Sequence, residues 1–110
     1  PDLLLVSAGQ DPGFLDPMGR NVVTTAGFEA LGRRVRAIAD DCAGGALALV
    51  QEGGYQQSHL AFATVGALEG ALGVETDVHE PFFPLGEHLE PVERWVERAR
   101  RAHAEHWSLS

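Results

Sequence analysis

The sequence predicts an α/β protein organised on an open parallel sheet, and three observations carry that expectation. Two short continuous apolar runs, Leu3-Leu4-Leu5-Val6 and Ala46 to Val50, have the length and aliphatic character of strands buried on both faces. Between them lies a segment of helical periodicity, which makes the connection a crossover and the strands parallel. A second helical pattern follows the second run, so the order reads strand, helix, strand, helix.

The first strand stops at Ser7-Ala8-Gly9 and opens into a loop from Gln10 to Asn21, where two Asp-Pro steps oppose helix continuation. Thr24 or Thr25 is placed to cap the first helix. Its apolar face is expected at Phe28, Leu31, Val35 and Ile38, opposite Arg33, Arg34 and Arg36. Gly44-Gly45 ends this helix before the second strand. After Gln51 to Tyr55 a second helix is expected from about Ser58 to Leu72, with Ala61, Val65, Leu68 and Leu72 on its inner face and Gly73 as its stop. Small residues crowd it, which implies close packing. Val74 to Val78 reads as a short strand and Pro81 to Pro84 as a turn or extended segment. Leu89, Val92, Val96 and Ala99 mark a terminal helix rich in Arg and Glu.

The 110 residues suit a single domain. Two or three parallel strands nevertheless leave edges and faces that so few helices cannot cover, so the sheet reads as partial. The chain has no lysine; its eight basic residues are arginines, and sixteen acidic residues bring the net charge to -8. This balance repels phosphate backbones and anionic lipid, which argues against nucleic-acid and membrane partners and tolerates a cationic small molecule. Cys42 is the only cysteine, so a disulfide within the chain and a cysteine zinc site are excluded. With no basic segment preceding an apolar core at its start, a cytoplasmic setting is expected.

Open parallel sheets bind ligands beyond the carboxyl ends of their strands, and two polar constellations fall there: Ser7-Ala8-Gly9-Gln10-Asp11 and Glu52-Gly53-Gly54-Tyr55. Taken singly, spacing favours a turn or capping role for Asp11 and a packing role for Tyr55. Taken together, PDLLLVSAGQD followed after one helix and one strand by LALVQEGGY resembles the C-terminal part of class II-like members of the histone deacetylase and acetylpolyamine amidohydrolase superfamily. The resemblance covers residues 1–73, including the Asp-Pro-x-Gly loop at Asp16 to Gly19. It leaves 74–110 as an extension.

The resemblance implies a partial three-layer open parallel sheet of the arginase/deacetylase type. It also implies zinc-dependent removal of acetyl groups from acetyllysine or an acetylated polyamine. Asp11 would be one of three zinc ligands and Tyr55 the group that polarises the substrate carbonyl. Gly53 and Gly54 would line the substrate channel, and Gln10, where many relatives carry an aromatic residue, would alter its wall. Glu52 would brace the loop. The family's histidine pair and its Asp-x-His ligands have no counterpart at a matching place here, and His79, His103 and His106 do not replace them. The chain alone is therefore expected to be inactive. It should need the N-terminal part of the catalytic domain as partner, or associate with itself. The alternative is a non-catalytic piece serving as an interaction or scaffold module.

Overall fold

The computed structural model describes residues 1–82, 89–104 and 106–107. β1 (Leu4–Ala8) is followed by α1 (Thr25–Cys42), β2 (Leu47–Gln51), α2 (Gln57–Leu72) and α3 (Leu89–His103), the element order that the sequence predicts. The strands pair in parallel, with Leu4 opposite Leu47 and Ala8 opposite Gln51. Both chains therefore leave the sheet at the same edge, which brings the two polar constellations together. Thr24 is the cap of α1, its side chain accepting a hydrogen bond from Gly27 N at 3.2 Å. Thr25 instead donates from N and Oγ1 to Glu80. Gly44 and Gly45, at φ 56° and 85°, turn the chain back into β2.

The helices pack on each other through faces that differ from those expected. In α1, Phe28, Gly32 and Ala39 are buried, whereas Leu31 and Ile38 are about half exposed. In α2 the buried positions are His59, Ala63, Gly66, Gly70 and Ala71, whereas Ala61, Leu68 and Leu72 face solvent. The reason is backbone proximity. A Cβ on Gly70 would stand 2.0 Å from the carbonyl oxygen of Glu29, and one on Gly32 would stand 2.3 Å from that of Ala67. Periodicity weighs side-chain size, but this contact is made where side chains are absent.

Two further expectations are corrected. β1 is half-buried on one face only: Leu4, Val6 and Ala8 turn inward, while Leu5 is 64% exposed. Val74 to Val78 is not a strand. The chain there is tied to α2 by Glu69, whose Oε1 accepts from N and Oγ1 of Thr76 at 2.7 and 2.5 Å. The terminal helix expected from Leu89, Val92, Val96 and Ala99 forms as α3, with Val96 and Ala99 exposed, and ends at His103. The expected turn at Pro81 to Pro84 lies partly outside the described residues, as do the side chains of Leu89 and Val92. Among the described residues no helix is long and apolar enough to cross a membrane.

Candidate active site

The loop after β1 is shaped by its own backbone before any side chain acts. Gly13 N donates to Gln10 O and Asp16 N to Gly13 O, and the end of the loop is pinned by Phe14 N to Val23 O and Val23 N to Pro12 O. Gln10 N donates to Gly53 O at 2.8 Å, which locks this loop to the loop after β2. The side chain of Gln51 braces the second loop, with Nε2 donating to the carbonyls of Glu52 and Gly53.

Asp11 and Tyr55 converge on Gly53. A Cβ built there would stand 2.7 Å from Asp11 Oδ1 and 3.3 Å from Tyr55 Cε2, so the absence of a side chain at this point leaves room for carboxylate and phenol ring to flank it. On its other side the carboxylate is bounded by Gly9, where a Cβ would lie 2.6 Å from the same oxygen. Asp11 is half-buried in a notch walled by two glycines, and Tyr55 is 60% exposed. Gly54 carries φ 136°, a conformation that L side chains rarely adopt, and a Cβ there would stand 2.7 Å from Leu60 Cδ1 and 3.3 Å from Gln10 Cβ. Gln10 is only 3% exposed and supports Gly54 from beneath.

Asp16 joins the two loops. Its Oδ2 accepts the backbone N–H of Tyr55 at 2.6 Å, and its Oδ1 accepts those of Met18 and Gly19 at 2.8 and 3.2 Å. Burial pushes this carboxyl group up, but the N–H donors of Tyr55, Met18, Gly19 and Gln56 outweigh it. The net pKa lies below the ordinary 3.8. Sequence reasoning placed Asp16 only within an Asp-Pro-x-Gly loop. The turn was legible there because an aspartate before proline accepts from the N–H groups that follow, but the bond to Tyr55 was not.

His59 was missed altogether. It is 1% exposed, stacks edge-on against Phe14 at 4.8 Å, and places Nδ1 2.5 Å from Glu80 Oε1. No sequence signal pairs His59 with a carboxylate 21 residues further along the chain.

The donor set has a definite limit. Among the described residues no three histidine, cysteine, aspartate or glutamate side chains are grouped to hold a metal ion. Asp11 fits the part of a single oxygen donor. It lies open in its glycine notch, but this segment does not itself complete a metal centre.

Residues 1–71 match the model of the histone deacetylase domain. The chain belongs to that family. It is 32% identical over 106 residues to histone deacetylase 8 of Arabidopsis thaliana, an alignment that spans 96% of this chain and 28% of that protein. It is 33% identical over 91 residues to the histone deacetylase-like amidohydrolase of Pseudomonas aeruginosa, covering 83% and 24%. It is also 34% identical over 110 residues to the human polyamine deacetylase HDAC10, covering 97% and 15%. The structure of the histone deacetylase Clr3 superposes with a TM-score of 0.68 over 98% of this chain and 17% of that one, at 19% identity, a likeness of fold. The chain spans between about a seventh and about a quarter of the length of these curated relatives.

Proposed function

We propose that this chain contributes part of the catalytic domain of a zinc-dependent deacetylase acting on acetylated amines, acetyllysine or an acetylpolyamine, in the cytoplasm. The observation that carries the reading is the convergence of the Asp11 carboxylate and the Tyr55 ring on Gly53, at the carboxyl edge of a parallel sheet in a chain of the deacetylase family. When bound, zinc supplies Lewis-acid activation of water and of the amide carbonyl. Asp11 provides one anionic oxygen ligand toward it.

Tyr55 does the work of an oxyanion donor. As water adds to the acetyl carbon, negative charge gathers on the carbonyl oxygen, and a phenolic O–H aimed at that oxygen lowers the barrier more than it stabilises the neutral amide. Gly53 and Gly54 form the wall along which the acyl group lies, with Gln10 supporting that wall from below. The net charge of -8 suits a cationic amine product.

The remaining ligands and the acid/base histidines are assigned to the N-terminal part of the catalytic domain, the partner proposed for this chain. In its absence a second copy is the proposed partner. Exposed Leu5, Leu31, Ile38 and Leu72 support such a packing surface. The same exposed residues favour the second reading, a non-catalytic interaction module. A zinc count on the purified full-length protein separates the two.

The test pairs two substitutions in the full-length protein. Tyr55→Phe is expected to lower kcat on the order of a hundredfold with zinc content intact, through loss of one preorganised donor. Asp11→Ala is expected to lower zinc occupancy at limiting metal. Full activity of Tyr55→Phe under conditions where the chemical step limits the rate, or equal zinc occupancy in Asp11→Ala, overturns the assignment. The 110 residues alone are proposed to be inactive.

A further inference from the structure

We propose that Asp16 is a positioning residue for Tyr55, holding the phenol in place through the tyrosine's backbone N–H. The inference rests on the role assigned above to Tyr55. Three observations support it. Tyr55 is 60% exposed, so packing within this segment does not fix its side chain. The residue before it is Gly54 at φ 136°, and a second glycine precedes that, so no side chain limits the backbone conformations on entry to Tyr55. At Tyr55 itself the restraint appears: its N–H is bound at 2.6 Å to Asp16 Oδ2, across 39 residues of sequence.

The clamp is itself held. Oδ1 of Asp16 accepts from Met18 N and Gly19 N, which orients the carboxylate plane so that Oδ2 is the arm left for Tyr55. The residue is 9% exposed, so water competes weakly for that arm. A carboxylate is suited to this double task because both oxygens accept. An asparagine in its place keeps one acceptor for the turn but turns an amide N–H2 toward the N–H of Tyr55, where two donors repel. Glycine flexibility before the tyrosine and a fixed acceptor on it together make a hinge with one set position. Misplacing a reacting group by about 1 Å costs on the order of a hundredfold in rate.

The direct test needs no substitution. In the isotope-labelled full-length protein, a scalar coupling across the hydrogen bond is expected between the Tyr55 amide nitrogen and the Asp16 side-chain carboxyl carbon. The bond from Gln10 N to Gly53 O, at 2.8 Å, serves as internal reference. A visible reference coupling with none at Tyr55 overturns the proposal. Kinetics then ask what the bond does. Asp16→Asn is expected to lower kcat on the order of tenfold to a hundredfold with little change in KM or zinc content. Combined with Tyr55→Phe it should add little further loss, since both act through one phenol. Losses that multiply in the double variant, or an unchanged kcat in Asp16→Asn, overturn the positioning role. An unchanged kcat in Tyr55→Phe alone overturns the reading of Tyr55 and leaves the coupling to be judged by itself.

Discussion

His59 and Glu80 meet across 21 residues of sequence, ring nitrogen Nδ1 to carboxylate Oε1 at 2.5 Å, with side-chain exposures of 1% and 9%. The other oxygen of Glu80 accepts from N and Oγ1 of Thr25 at the start of α1. One carboxylate thus ties the segment after α2 to the first turns of both helices.

Removing either partner leaves the other buried with its hydrogen bond broken. His59→Ala is expected to destabilise the fold by roughly 2–4 kcal/mol, since it combines a cavity with an uncompensated polar group. Glu80→Gln keeps an acceptor for Thr25 and should cost about 1 kcal/mol. Urea unfolding at neutral pH checks both, and equal midpoints for wild type and His59→Ala would falsify this role.

The glycine contact between α1 and α2 predicts a reversal of what hydrophobicity suggests. Gly70→Ala adds one methyl group where 2.0 Å separates its carbon from Glu29 O, so the helices must part, at a cost of about 1–3 kcal/mol. Leu72→Ala removes a side chain from a residue that is 69% exposed and should stay within about 0.5 kcal/mol in this chain. Thermal unfolding of the two variants ranks them, and a larger loss in Leu72→Ala would mean that the helices meet through their aliphatic faces.

Asp16 should leave a signature in acid. Its folded pKa is depressed below the ordinary 3.8, because the N–H donors outweigh burial. A carboxyl group of this kind binds fewer protons in the folded than in the unfolded state. Its contribution is therefore complete above the ordinary value and lost as pH falls through the folded one. Stability measured against pH should fall more steeply on the acid side of 3.8 in wild type than in Asp16→Asn. Parallel curves across that range would remove Asp16 from the account.

The element order, the parallel crossover and the Asp11 and Tyr55 constellations were legible because each depends on local chain properties. Apolar runs, a helical period and glycine stops act within a few residues of themselves. Asp11 and Tyr55 stood out because the motifs that carry them together resemble a known family, and parallel pairing then carried them to one edge.

Other features were decided only by tertiary structure, for a common reason: each is an approach between distant groups whose local sequence points elsewhere. The helix faces turned on glycines that carry no hydrophobic signal. Val74 to Val78 has the residues of a strand, but no strand among the described residues pairs with it, and Glu69 captures its backbone instead. Gln10 was expected in the channel wall, and where its side chain lies was set by the folding of one loop over the other. The hold of Asp16 on Tyr55, and of Glu80 on His59 and Thr25, required side chains to be brought within hydrogen-bond reach. Sequence determined which chemistry stands at the sheet edge; packing determined what holds it still, because a hydrogen bond depends on distance in space and not on separation along the chain.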